Sequence, residues 1–344
     1  MKRFLVALVV VAVTSAAALF GGVFLLNQRF HAPGPLGEAT TLIVARGASR
    51  EAIANQLAQS GVLADPWTFR AVALLRQDPR PLKAGEYAFQ PHISPAGVFE
   101  LLASGRTVIR RLTIPEGLTA AQVVSLVRRA DGLEGDPGPV PAEGELLPET
   151  YFYSWGDTRT GVIERQRRAM HEALAQLWPM RAPDLPIKSP AEAVVLASIV
   201  EKETARDEER AHIAAVYLNR LKRGMRLQSD PTVAYGLANG AGVLDHALTR
   251  ADLDSRHAWN TYIIDGLPPT PIANPGRAAL AAALNPAPSD DIYFVADGAG
   301  GHVFARTLDE HNRNVARLRR IERERGGARQ GDGDPGSSSG LPRR

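Results

Sequence analysis

The chain has 344 residues, 44% of them hydrophobic and 22% charged, enough for two or three folded domains. Forty Lys and Arg against 37 Asp and Glu leave a formal charge of +3, and no long basic run crosses a folded segment, which argues against nucleic acid as a partner. The lack of cysteine excludes disulfides, thiolate nucleophiles and cysteine-bound metal, and only Lys2, Lys83, Lys188, Lys202 and Lys222 are available for lysine chemistry.

Residues 4–26 carry no charge, and about 20 apolar residues cross a bilayer's hydrocarbon core as a helix. Lys2 and Arg3 precede the run, so a stub of residues 1–3 is expected on the cytoplasmic side and the rest of the chain beyond the inner membrane, in the periplasm. Ala16, Ala17 and Ala18 offer small residues for signal cleavage, but the apolar run continues through Phe20 and Val23 to Leu26, which favours an uncleaved anchor. Residues 27–39 are polar with two prolines and read as a linker.

The block 40–108 reads as a small mixed module. Residues 41–44 form a strand, 49–60 a helix stopped by Gly61, 66–75 a second helix, and 85–89 a second strand. Ser94-Pro95 opens a further helix with a cap and a first-turn proline. Nothing in this module looks catalytic. A strand from Arg110 ends in the Pro115-Glu116-Gly117 turn, Thr119 caps a helix to Ala130, and 131–148 is a loop rich in proline and glycine. Helices follow at 160–178, 189–205 and 207–223. Beyond 226 the pattern turns irregular until a hairpin, 291–296 with 303–305, and a charged helix from Leu308 to about Arg325. The tail, 326–344, has no apolar pattern and is expected to be disordered. The fold class is α+β.

The helix 189–205 stands out. Ser189-Pro190-Ala191-Glu192 has capping-box spacing, and residues 193–200 are apolar on every side apart from Ser198, the pattern of a buried helix. Glu201 follows at once, on the face of Val194, Ala197 and Ser198. Desolvation at the edge of an apolar wall raises a carboxyl pKa by up to ~3–5 units, whereas the helix dipole contributes only about 0.3–1 kcal/mol. An acid kept protonated near neutrality suits protonation of a leaving oxygen. Glu203 lies about 200° further round the helix and cannot share Glu201's site by helix geometry alone. By spacing alone, Glu201-Lys202-Glu203 fits a solvated helix end better than a catalytic site.

The segments ASIVEKET (197–204), YLNRLKRGMRLQSDPTVAYG (217–236), NTYIIDGLPPTPIANPG (260–276) and YFVADGAGGHVF (293–304), with EGELLPETYFY (143–153), resemble the MltG/YceG family of endolytic murein lytic transglycosylases. The resemblance runs from the anchor to about residue 320. It implies a LysM-like module at 40–108 and a mainly helical, lysozyme-like catalytic domain with short strands at 109–325. It further implies cleavage of MurNAc–GlcNAc bonds in nascent glycan strands, leaving 1,6-anhydro ends without cofactor or metal. Glu201 matches the catalytic glutamate, acting as acid and then base. Gln228, Ser229, Tyr235, Asn260, Thr261 and Tyr262 are candidates for substrate contacts and fixed dipoles, with Glu203 beside them. Each of these also fits a turn or cap, and Asp230 before Pro231 fits a helix cap better than a catalyst. Expected partners are peptidoglycan strands, the membrane and glycan synthases.

Three rivals remain at this stage. A membrane-anchored, non-catalytic wall-binding scaffold for synthases would use the 40–108 module and leave the EKET segment idle. A pyridoxal-phosphate lyase needs a Schiff-base lysine, and Lys202 lies between two glutamates with no phosphate-binding glycine run. A serine hydrolase needs a convergent triad, and none of the eight histidines stands in such a motif.

Overall fold

The computed structural model describes residues 2–75, 80–242 and 244–331. They form two compact units, and the first comprises residues up to Leu112 with the short returns 131–134 and 152–158. Its elements are α1 (Lys2–His31), β1 (Thr40–Val44), α2 (Arg50–Gln59), α3 (Pro66–Leu75), β2 (Gly85–Phe89) and α4 (Pro95–Ser104). β1 and β2 pair antiparallel, Thr40 opposite Phe89 and Val44 opposite Gly85. Ser49 caps α2 through the Ala52 N–H, and Ser94 caps α4 with Pro95 behind it, as their sequence positions suggest. Ile53 and Leu57 of α2, Phe69 of α3, Tyr87 and Phe89 of β2 and Leu102 of α4 close one core.

Of the expected linker at 27–39, residues 27–31 belong to the end of α1, and 32–39 connect it to β1. α1 continues to His31, and Phe30, 1% exposed, sits in the first unit's core with Leu36. An aromatic side chain buries ~150–250 Å², enough to outweigh a polar local composition. The following turn is tight as well: a Cβ on Gly34 would stand 2.2 Å from the Ile93 carbonyl oxygen. The apolar helix therefore enters the module as one continuous rod.

β3 (Arg110–Thr113) pairs with β4 (Thr150–Tyr153), a short strand of Thr, Tyr and Phe with alternating burial. The second unit holds α5 (Ala120–Arg129), α6 (Arg159–Leu177) with a 3-10 turn at Trp178–Met180, α7 (Pro190–Glu203), α8 (Asp207–Lys222), α9 (Asp230–Leu237), α10 (Arg250–Leu253) and α11 (Arg277–Leu284). The hairpin β5 (Tyr293–Ala296) and β6 (His302–Ala305) and the helix α12 (Leu308–Gly331) complete it. The region beyond 226 is thus more ordered than expected. α11 packs between α7 and α8, and its alanines permit that close approach. α12 also runs past its expected end near 325, while residues 332–344 of the expected tail lie outside the described residues.

α7 is buried on all sides from Ala193 to Val200. Its amino terminus is half of the expected box. Ser189 accepts from the Glu192 N–H at 3.2 Å, but the Glu192 carboxylate takes the Lys188 N–H instead of that of Ser189. In mid-helix, Ser198 donates to the Val195 carbonyl and accepts the Ile272 N–H at 3.0 Å. That single hydroxyl ties the 260–276 loop to the helix bearing Glu201.

Candidate active site

Glu201 stands in the last turn of α7 with 4% of its side chain exposed. Its Oε2 accepts the Gly276 N–H at 2.8 Å, at the amino terminus of α11. Its Oε1 meets Arg210 Nη2 at 3.3 Å, and the same nitrogen holds Glu116 Oε2 at 3.3 Å. Two carboxylates thus share one guanidinium, which Asp207 also engages from within α8. Glu116 is 41% exposed, so the cluster meets solvent on its side. Burial raises the Glu201 pKa above the ordinary carboxylate range. The Glu116 charge pushes the same way, while the Gly276 N–H and Arg210 pull it down. Gly276 leaves room for Glu116: a Cβ there would lie 1.8 Å from Glu116 Oε1, so a larger residue would displace that carboxylate from the cluster.

Glu203 belongs to a separate network, as the helix angle requires. Tyr217 Oη donates to its Oε1 at 2.5 Å, and the Ser229 hydroxyl donates to the same oxygen. Burial drives this carboxyl's pKa up as well, against the lowering effect of the two hydroxyls.

The polar candidates of 228–235 and 260–262 fall into two groups. Asn260 and Thr261 are fully buried. Asn260 Nδ2 donates to the Leu253 and Ser255 carbonyls at 2.9 and 2.7 Å, and its Oδ1 accepts the Tyr262 N–H. Thr261 Oγ1 takes the Ser229 N–H at 2.9 Å and meets Thr232 Oγ1 at 2.8 Å. Both shape the loops and present no free polar atom to a substrate. Buried loop backbone must find partners, and these side chains supply them. Ser229 is buried too, committed to Glu203. Gln228 is held in left-handed backbone at φ 52°, with its N–H on the Thr261 carbonyl and its Oε1 near Arg220 Nη1 at 3.3 Å. Such a conformation is costly for a non-glycine residue and persists only where its surroundings impose it.

Tyr262 and Tyr235 are more open. The Tyr262 hydroxyl donates to Asp230 Oδ1 at 2.5 Å, which leaves Asp230 a partner of Tyr262; it caps nothing, and Ser229 occupies the cap position without a side-chain bond. Burial raises the Tyr262 pKa, and Asp230 adds to it. Tyr235 and Asp230, with Lys202, Thr119, Ala234 and Leu248, line a pocket of about 310 Å³ at the carboxyl-terminal end of α7.

Local pattern does not single out Glu143. Its Oε1 accepts the Ala120 N–H at 2.7 Å and Asn274 Nδ2 at 3.1 Å, and its Oε2 the Tyr235 hydroxyl at 3.3 Å. Burial pushes its pKa up to about 7, and in turn Tyr235 rises to about 12, chiefly through its own burial. A carboxyl at about 7 in the fold, against 4.5 unperturbed, keeps its proton while the unfolded chain loses it. Stability is therefore lost as pH rises from about 4.5 to about 7 and is level above that. Glu143→Gln removes this dependence: the Tm of the native chain relative to the variant should fall across that window. Parallel Tm curves for the two proteins would contradict it.

Arg210, Glu116 and Gly276 were likewise absent from the sequence candidates. They come from α8, the Pro115-Glu116-Gly117 turn and the start of α11, and no spacing rule joins them to Glu201. The glycine-marked turn at 115–117 was the one local sign. Gly117 adopts φ 74°, and its carbonyl receives Lys202 Nζ at 3.2 Å.

Residues 42–317 match the YceG-like family. A protein of Bacillus subtilis strain 168 named endolytic murein transglycosylase is 28% identical over 330 residues, covering 86% of this chain and 89% of its own length. A Streptococcus pneumoniae D39 protein of the same name is 28% identical over 363 residues, covering 92% of this chain. The chain spans 65% of that relative's length. A crystal structure of a YceG-like protein from Listeria monocytogenes shares 29% identity, covers 80% of this chain and 99% of its own, and superposes with a TM-score of 0.49.

Proposed function

Because the chain belongs to the YceG-like family, we propose that it is a peptidoglycan lytic transglycosylase whose general acid and base is Glu201. The name carried by its relatives, endolytic murein transglycosylase, supports the reaction class. The observation that carries the residue is the covered Glu201 carboxyl, raised in pKa by burial and sharing Arg210 with Glu116.

In the proposed reaction Glu201 gives its proton to the glycosidic oxygen as the bond from MurNAc C1 breaks. The MurNAc 6-hydroxyl oxygen then bonds to C1, and its proton passes to the Glu201 carboxylate, which regenerates the acid. No water is consumed, and a 1,6-anhydro end remains. The Tyr262–Asp230 and Tyr235–Glu143 pairs, of which Asp230 and Tyr235 line the pocket at the end of α7, are the proposed fixed dipoles for the developing positive charge. In this reading residues 40–108 form a LysM-like binding module and residues 109–325 a lysozyme-like catalytic domain.

α1 is apolar and long enough for a single-pass membrane anchor. The proposed orientation places the folded units on the periplasmic side, close to where synthases extrude new strands. Co-purification of a glycan polymerase with the full chain tests that partnership.

Mass spectrometry of products from uncrosslinked strands tests the activity. Anhydro ends are the expected result. Reducing ends would assign hydrolysis, for which Glu116 offers a second carboxylate beside Glu201. No cleavage would favour the non-catalytic scaffold.

A further inference from the structure

The first unit carries an apolar surface that its own core does not use. α3 has two apolar faces. Phe69 and Val72 point inward and are buried. On the other side Trp67, Ala71 and Leu74 fall at i, i+4 and i+7 as an apolar stripe, and Arg70 beside them is ion-paired to Glu51 at 2.9 Å. Trp67 is 59% and Leu74 78% exposed. A helix with apolar residues on both faces belongs in a core or in a membrane.

The stripe faces the anchor. Ala18, Leu19, Gly22, Val23 and Leu26 of α1 form the opposite wall of a groove of about 750 Å³, with Arg50, Glu51 and Arg70 on its rim. That volume lies within the ~300–1,000 Å³ of ligand-sized clefts. The wall on the α1 side leaves room: nothing stands within 4 Å of a Cβ built on Gly21 or Gly22.

The depth of this groove follows from helix length. At 1.5 Å per residue, about 20 residues from Phe4 traverse ~30 Å of hydrocarbon, so the core's far boundary falls near Val23. The groove uses residues 18–26 and therefore lies at the outer edge of that core. α1 cannot bend away there. It is helical to His31, and Phe30 is locked into the first unit's core. Tryptophan prefers the membrane interface, and arginine can bury its stem while its head reaches phosphate.

We propose that α3 is a second membrane-embedded element of this chain, whose Trp67–Ala71–Leu74 stripe and the 18–26 face of α1 together hold acyl chains of the outer leaflet, with Arg50 and Arg70 at headgroup level. The occupant is lipid because the groove is continuous with the apolar helix that crosses the same leaflet. The inference rests on α1 spanning a membrane. It makes the first unit a part of the bilayer surface, set at a fixed depth.

The chain has no cysteine, so single cysteines can be spin-labelled without background. The full chain is placed in phospholipid nanodiscs with a label at Leu74→Cys, at Phe20→Cys on the anchor, or at Ile109→Cys as an aqueous reference. All three native side chains are exposed, so the fold tolerates the labels. Accessibility to oxygen relative to a water-soluble nickel chelate is then read. The Leu74 ratio should match Phe20 and exceed Ile109 severalfold. A Leu74 ratio equal to that of Ile109, with Phe20 in lipid, overturns the inference and leaves the anchor standing. It is also the result expected if the groove awaits a partner protein's helix. A Phe20 label in water would overturn the anchor and the inference with it.

Discussion

Glu201→Gln is expected to leave the fold intact and to lower strand cleavage by about 10²–10⁴-fold, the span a general acid–base group contributes. Glutamine keeps the shape, and its amide oxygen can still accept the Gly276 N–H. What it loses is the transferable proton. Removing a buried carboxyl whose pKa burial has raised costs the fold nothing near neutrality, so the variant's Tm should equal or exceed the native one. Activity near the native level in Glu201→Gln would refute the assignment. Glu203, the other raised carboxyl on α7, would be examined next, although its bonds to Tyr217 and Ser229 engage it in holding α8 and the 228–229 turn.

Much of the fold was legible where a single physical rule dominates. α7 is apolar all round, so its burial follows from its residues. Ser49, Ser94, Thr119 and Ser189 each accept a backbone N–H at their helix starts. The rest depended on partners far along the chain. β4 has four residues and gains its strand form from pairing with β3. α11 is an Ala- and Leu-rich run of high helix propensity that the irregular reading beyond 226 passed over; only its packing against α7 and α8 depends on distant partners. Phe30 reads as part of a linker because the residues around it are polar, yet α1 runs to His31 before Pro33 and Gly34 and buries that ring in the first unit's core.

The candidate site divides in the same way. Glu201 could be named because an apolar helix ends on it. Asn260 and Thr261 looked like cleft residues because they are polar and lie among glycines and prolines. Those same properties suit residues that satisfy buried loop backbone, and that is what their side chains do. Arg210 and Glu116 were missed because an ion-pair cluster drawn from three segments leaves no mark on any of them.

The second large effect is expected at Arg210. Its buried guanidinium lies among Glu201, Glu116 and Asp207, so no single carboxylate receives its whole charge. This sharing lets Glu201 stay raised in pKa beside a cation that alone would depress it by ~1–3 units. In Arg210→Gln the cation is gone, while burial and the Glu116 charge remain, and the Glu201 pKa should climb further. The alkaline limb of the pH–rate profile, where the acid gives up its proton, then moves to higher pH. Stability should change with pH in a matching sense. The folded pKa stands further above the unfolded one, so the variant holds its stability at low pH and loses it as pH rises towards the new folded value. An uncompensated buried carboxylate costs about 3–5 kcal/mol, which sets the scale of the loss at the alkaline end. Arg210→Lys separates charge from geometry. A lysine restores the positive charge but not the planar fork that reaches Glu201 and Glu116 together. Its pH limb should stay near the native position while the rate falls, because Glu201 is less well held. If Arg210→Gln leaves the alkaline limb in place, Arg210 serves only to brace α8, and Glu201's pKa is set by burial, Glu116 and the Gly276 N–H.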